Sequence, residues 1–449
     1  MTTETISLGL SESAEAARRD ANAVALDRLL TANPVLIDVA PARDVVPGMT
    51  DATILTSGAP LEWHEYSGGQ RRSIVNAALY EGLADTAEAA ERALERGDII
   101  VHSTQQHHCI GSVAGIYTAS MPVLVVRDET FGGTAFCNLY EGKSRHRLNY
   151  GSYNDEVRDG LKWLEGTFAP TLSAAIELHG PIPLKPIMSR ALRLGDELHS
   201  RNTAASMLFE RELTETFIAM GNTSKASAVT DVLEFFRDND YTFLRMGMAA
   251  AKAIADAAHG VPASSLVTGM AINCRTFGIR VSGLGDQWFT GAHPHLDGKF
   301  FDGFGPEDVE WIGGESCFTE VAGLGAFAQA AAPALQAYQG GSFTKMMDNN
   351  ESLYAITLAE HPEFAIPALA FRGTPAGIDL VEVLRHGRTP MIDGGLAGRA
   401  GGQIGAGLLV PDLDCFAAAY QSYRAQYDPV EDDSAPTGSA SNGAQEEAR

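Results

Sequence analysis

Basic residues are scarce in this chain, with 33 Lys and Arg against 57 Asp and Glu and a formal net charge of -24. That balance excludes nucleic acid and anionic membrane surfaces as natural partners, because both reward clustered basic side chains. Small anions remain admissible wherever a few basic groups gather. Cysteine is also rare: Cys109, Cys137, Cys274, Cys317 and Cys415 show neither paired spacing nor a C-x-x-C pattern. Neither a disulfide framework nor a zinc ribbon is expected, and a reducing cytoplasm fits best. The opening MTTETISLGLSESAEAARRDAN lacks a basic segment followed by an apolar one, and no long uninterrupted apolar run occurs, so neither secretion nor membrane spanning is expected. The chain has no G-x-S-x-G elbow, no P-loop lysine, no H-E-x-x-H pair and no long internal repeat.

What is present describes a globular protein of more than one core: 449 residues, 45% apolar and 20% charged. The expected class is α/β and α+β multidomain. A first α/β domain over 1–150 follows from a helix over 13–31, strands at VLIDVA and ATILTSG, a helix over Ala84 to Arg96 ended by Gly97, and strands at DIIVH and MPVLVVRD. Residues 151–262 carry apolar positions at helical spacing and read as a mainly helical region. A glycine-rich α+β domain over 263–427 is expected to hold a hairpin of VTGMAI with FGIRVS, a helix in AGLGAFAQAAAPALQAY and a strand, turn and helix in IPALAFRGTPAGIDLVEVLR. The acidic end, 428–449, reads as disordered.

Six stretches carry candidate chemistry. HSTQQHHCIG, at 102–111, places His107 and His108 in a polar loop after a strand, where α/β proteins put their sites. Adjacent histidines diverge on an extended backbone and no companion ligands accompany them, so no metal site is expected. Donation to a developing oxyanion is favoured, against histidines merely satisfied in a polar seam. GDELHSRN, read as helix, puts Asp196, His199 and Asn202 on one face and pairs Glu197 with Arg201 on the next.

In INCRTFGIRVSGLGDQWF, Asn273 and Arg280 stand out beside Arg275 and Asp286. Arg280 lies in an alternating apolar strand and needs an anionic partner, either a protein carboxylate such as Glu315 or Asp286, or a substrate. Arg372 is expected at a strand end before a helix N-terminus, an anion site made of ordinary parts. Arg399, with Gly401 and Gly402, sits in a glycine-rich loop suited to approaching an anion or to a subunit contact. SRHRLNYGSY gathers Arg145, His146 and Arg147 as a further possible anion clamp.

Taken in order, HHCIGSVAGIYTASMPVLVV, CNLYEGKSRHRLNYGSYNDEVRDGLKWL, LRLGDELHSRN, SSLVTGMAINCRTFGIRVSGLGDQWF, AFRGTPAGIDLVEVL and AGGQIGAGLLVP resemble the bacterial family, formerly of unknown function, that contains the AllG/YlbE/YahG-type subunits. The resemblance spans most of 50–420. It implies a subunit of a carbamoyltransferase acting on a small ureido acid, with oxamate and carbamoyl phosphate on one side and N-carbamoyl oxamate and phosphate on the other. It also implies an FdrA-like partner, a homo- or hetero-oligomer and a place in allantoin breakdown, and no cofactor is expected. On that basis His107 or His108 polarises the carbonyl, His199 with Asp196 moves the proton, and Arg372 with the Arg399 loop holds phosphate or carboxylate. Arg201, Asn202, Asn273 and Arg280 complete the expected binding set. Ser103-Thr104-Gln105 reproduces only the start of the S-T-R-T-R phosphate motif of other transcarbamoylases. Two other readings stand beside this one: a metal-dependent amidohydrolase-like enzyme that cleaves a lactam or ureide, and a non-catalytic scaffold for an FdrA-like subunit.

Overall fold

A computed structural model describes residues 8–429. The acidic end expected to be disordered falls outside them from residue 430 onward. Before it, the helix Asp414–Tyr427 closes on Asp428, whose carboxylate accepts from the Ser11 amide at 2.9 Å and its hydroxyl at 2.6 Å. Ser11 in turn caps the helix Glu12–Thr31 by accepting from the Ala14 amide at 3.3 Å, so the two ends of the fold are tied together.

The architecture is mixed α/β. Strands β1 (Pro34–Pro41), β4 (Cys109–Ile110), β5 (Pro122–Asp128), β6 (Thr134–Asn138) and β7 (Ile182–Pro183) form one sheet in the order β4-β6-β5-β1-β7. Only β4 and β6 run parallel in it. A separate parallel pair joins β2 (Thr53–Thr56) to β3 (Ile100–Ser103). In the C-terminal part, β8 (Val267–Ile272), β9 (Phe277–Val281) and β10 (Trp288–Gly291) make an antiparallel sheet that contains the expected hairpin. Strands β11 (His295–Phe300), β14 (Ile392–Ala397) and β15 (Gln403–Val410) make another, and β12 (Thr357–Ile366) pairs with β13 (Arg372–Ile378).

The helix Thr242–Ala257 is buried over nearly its whole length. Its alanines and Gly247 let neighbours approach on every face, and it packs against β5 and β6 as well as β8 and the short helix Phe318–Val321. It therefore joins the first sheet to the later ones, and one apolar core runs from Ala25 to Tyr423 across all three expected segments. No helix among the described residues is long and apolar enough to cross a membrane.

Three local expectations fail for identifiable reasons. GDELHSRN is a loop between the helices Leu184–Leu192 and Thr203–Glu212, because Gly195 and Leu198 take positive φ (101° and 73°) and the Glu197 carboxylate accepts from the amides of His199, Ser200 and Arg201. AGLGAFAQAAAPALQAY is broken: Gly325–Ala331 is a buried 3-10 stretch and Leu335–Gln339 a separate turn of helix, with Pro333 between. Arg372 opens β13 instead of ending a strand, and the next helix, Leu380–His386, has its N-terminal amides already capped by Asp379.

Candidate active site

The bend after β4, the loop after β6, the 195–202 loop, the helix Thr242–Ala257, the segment 310–317 and strand β14 enclose a cavity of about 180 Å³. Its lining brings together two kinds of chemical group.

The first is His199, buried, with Nδ1 2.8 Å from Oε1 and 3.1 Å from Oε2 of Glu320. The carboxylate fixes the Nδ1–H tautomer and leaves Nε2, which has no partner among the described residues, on the cavity side. Glu320 is itself held firmly, accepting from the Ala326 and Asp393 amides at 3.0 Å each and from the Thr319 hydroxyl at 2.9 Å. A side chain at Gly325 would place Cβ 2.1 Å from Oε1 of Glu320, so this glycine is what lets the carboxylate sit there. Burial opposes charge on His199, yet Glu320 outweighs it and holds the imidazole above its ordinary pKa.

Two further acids are buried beside this pair, Asp393, which itself lines the cavity, and Glu197. Oδ1 of Asp393 accepts from the Gln329 and Gln339 amides at 3.0 Å each, while Oδ2 has no donor. Burial first, and Glu320 second, push Asp393 up to about 7; burial and Asp393 together push Glu197 well above the carboxylate range. Two such acids hold a proton between them more readily than two charges. Because Asp393 binds its proton more tightly folded than unfolded, its contribution to stability is full below the unfolded value near 3.8 and is lost as pH rises through about 7. Asp393→Asn keeps an acceptor for both glutamines and gives Glu197 a permanent donor. Chemical denaturation at pH 5 and pH 8.5 is expected to show the wild type losing stability towards high pH and the variant losing markedly less; equal losses would refute the shared proton.

The second is a pair of guanidinium groups. Arg245, 5% exposed, donates from Nη1 to Oδ1 of Asn138 at 3.1 Å and its Nε has no acceptor. Arg147 lies over the rings of Tyr150 and Tyr140, 4.4 and 5.8 Å from their centroids, donates to the Gly142 carbonyl at 3.3 Å and also leaves Nε unsatisfied. Neither meets a carboxylate among the described residues, although a buried charge without a counter-ion costs several kcal/mol. Glu141 and Glu310 also line the cavity, but Glu141 is engaged by the Leu148 and Asn149 amides and Glu310 by Arg72. Cys317 donates to the Met270 carbonyl at 2.8 Å, and burial pushes its thiol up, far from a reactive thiolate.

Of the residues singled out from sequence, the cavity contains His199 and, from the SRHRLNYGSY cluster, Arg147; the others lie elsewhere. His107 is buried between the Pro47 carbonyl (2.7 Å from Nδ1) and His102 (2.9 Å from Nε2), and burial lowers its pKa, which suits a neutral ring in a polar seam. His108 is 63% exposed and 3.8 Å from Asp256. Asp196 accepts from the Ala205 amide at 2.8 Å at the start of a helix; it does not touch His199, whose carboxylate is Glu320. Arg201 bonds the Gly195 carbonyl, and Asn202 donates to the His199 carbonyl at 3.0 Å. Asn273 shapes the β8–β9 turn by accepting from the Arg275 and Thr276 amides.

Arg280 pairs with Asp256 at 2.7 Å, neither of the carboxylates considered for it. Arg372 is exposed, bonded to Glu360 at 2.6 Å. Arg399 is exposed beside the Val309 carbonyl, with Gly401 and Gly402 turning the chain between β14 and β15. It is the strand before that turn, Gly394 to Ala397, that lines the cavity. Sequence reading passed over Arg245, a lone cation in the small-residue helix TFLRMGMAAAKAIADA, and the acids of FTEV and MIDGG, each isolated in an apolar or glycine-rich run. Such isolation was the available signal, since a charge in an otherwise buried element needs a reason.

Fold and cavity together define a mixed α/β protein with a carboxylate-oriented histidine and two guanidinium groups lining one cavity. Comparisons with known proteins agree on its kinship. The family described as oxamate carbamoyltransferase subunit AllG matches residues 99–316. The chain is 39% identical to the uncharacterized protein YahG of Escherichia coli (strain K12) over 91% of this chain and 86% of that protein. It is 34% identical to the oxamate carbamoyltransferase subunit AllG of the same organism over 90% of this chain and 96% of that protein. A crystal structure of a conserved protein of unknown function from Enterococcus faecalis V583 superposes with a TM-score of 0.89 at 35% identity, covering 92% of this chain and 99% of that one. The chain belongs to the AllG family.

Proposed function

We propose that this chain carries the reaction centre of a carbamoyltransferase that works with an FdrA-like partner on a small ureido acid of the N-carbamoyl oxamate type. The observation that carries the reading is the pairing, in one cavity, of a histidine and two guanidinium groups where, among the described residues, the second histidine nitrogen has no partner and neither guanidinium has a counter-ion. A phosphate oxygen attacks the ureido carbonyl carbon, and the bond from that carbon to the oxamate nitrogen breaks. The departing nitrogen takes the proton of His199 Nε2, giving oxamate and carbamoyl phosphate. In reverse, the same nitrogen of His199 accepts the proton of the attacking oxamate amide. The raised pKa of His199 suits the acid role, and Arg245 and Arg147 neutralise the phosphate that would otherwise repel the electrons gathering on the carbonyl oxygen.

Incubating the chain and its partner with N-carbamoyl oxamate, with and without phosphate, tests this. The expected result is oxamate release that requires phosphate and matches carbamoyl phosphate formed. Release that ignores phosphate would instead support a ureide-cleaving hydrolase.

A further inference from the structure

The stretch Gly111–Gly115 makes a bend in which the carbonyls of Gly111, Ser112, Val113 and Ala114 are all engaged. Gly111 O accepts from the Glu315 amide, Ser112 O from the Gly115 amide, Val113 O from the Ser57 hydroxyl, and Ala114 O from Thr56 Oγ1 and the Ser57 amide. The amides of Ser112 and Val113, by contrast, donate to no acceptor among the described residues, and both residues line the cavity that holds Arg147 and Arg245. Val113 has φ of 56°, a left-handed conformation that a β-branched residue adopts only when its surroundings impose it.

Those surroundings are specific. The fully buried Glu315 carboxylate accepts from the Gly58 and Gly111 amides, Thr104 Oγ1 and Gln105 Nε2, clamping the bend to the 102–111 loop. A Cβ at Gly111 would lie 2.4 Å from the Gly115 backbone, and one at Gly313 would lie 3.1 Å from the Val113 carbonyl, so glycine is required on both sides. Consecutive main-chain N–H groups beside a left-handed residue form a concave seat for an anion.

We infer that the Ser112 and Val113 amides, with Arg245, form the seat of a tetrahedral phosphate group. This rests on the carbamoyl-transfer reading and says which part of the cavity takes phosphate as opposed to the carboxylate of oxamate. It also makes Glu315 a positioning residue and gives the HSTQQHHCIG loop its task, which is to hold that bend.

The Ser-Val step occurs once in the sequence, so labelling serine carbonyls with 13C and valine nitrogens with 15N isolates the Val113 amide as one resonance. Titrating the full-length chain with inorganic phosphate is expected to move that resonance downfield saturably, and Arg245→Met is expected to abolish the shift. If phosphate stabilises the protein in an Arg245-dependent way while the Val113 resonance stays still, the amide seat is refuted and carbamoyl transfer survives. A shift produced by oxamate and not by phosphate refutes the phosphate assignment. Absence of any phosphate binding refutes both.

Discussion

Replacing His199 with asparagine is expected to slow carbamoyl transfer by about 10²- to 10⁴-fold, the span typical of losing a positioned acid or base. Asparagine is the informative choice because its amide reaches Glu320 much as Nδ1 does, while nothing replaces Nε2. The Glu320 carboxylate, which is fully buried, would lose its imidazole donor on replacement of His199 by alanine and keep only two amides and a hydroxyl, and the resulting instability would obscure the chemistry. Asparagine separates the two effects: thermal melting should move little while turnover collapses. Since the departing nitrogen is protonated only as the bond breaks, the loss should fall on kcat, with KM for phosphate preserved. A drop in turnover matched by loss of assembly with the partner would point to a structural role instead.

Arg245→Met is expected to act in two opposite directions. Phosphate affinity should fall by about thirty- to several-thousand-fold, the equivalent of about 2–5 kcal/mol for removing one partner of a buried charge pair. The ligand-free protein should nevertheless become more stable, by about 1–4 kcal/mol, since a buried guanidinium without a carboxylate is exchanged for an apolar side chain of similar length. Thermal melting with and without phosphate reads both effects: a higher baseline and no phosphate-dependent rise. If the variant melts below the ligand-free wild type and still responds to phosphate, Arg245 is a packing residue.

The elements of the fold were largely legible because their signals are local. The helix Glu12–Thr31 has its serine cap and first-turn acids, Gly97 ends Ala87–Arg96 in a left-handed turn, and the β8–β9 hairpin alternates as expected. Reading failed where side chains bond their own backbone. Glu197 gathers three amides and converts GDELHSRN from a helix face into a loop, so His199 was found without its real partner. Glu320 lies 121 residues away from His199 in sequence, and no spacing argument reaches that far. The guanidinium groups of the cavity were only half legible, since Arg147 belongs to the SRHRLNYGSY cluster while Arg245 carries no such local signal. Exposed arginines beside turns, Arg372 and Arg399, have the conventional look of anion binders, yet each is satisfied locally by Glu360 or by a carbonyl. Arg245 is hidden in an alanine-rich helix, and only the packing around it shows that its charge meets no carboxylate among the described residues.

HSTQQHHCIG illustrates the same limit. Its histidines drew attention, but its threonine and Gln105 make the contacts that matter, by holding Glu315 against the bend that enters the cavity. His107 closes a seam with His102 and Pro47, and His108 is exposed.

The central claim is that one cavity divides its labour, with proton transfer at His199 and phosphate recognition at Arg245. A steady-state comparison of wild type, His199→Asn and Arg245→Met in complex with the partner, varying phosphate at saturating N-carbamoyl oxamate, tests it most directly. The account predicts that His199→Asn lowers kcat with KM for phosphate unchanged, and that Arg245→Met raises KM for phosphate steeply. Wild-type kinetics in both variants, or the same loss in both with no change in KM, would contradict it.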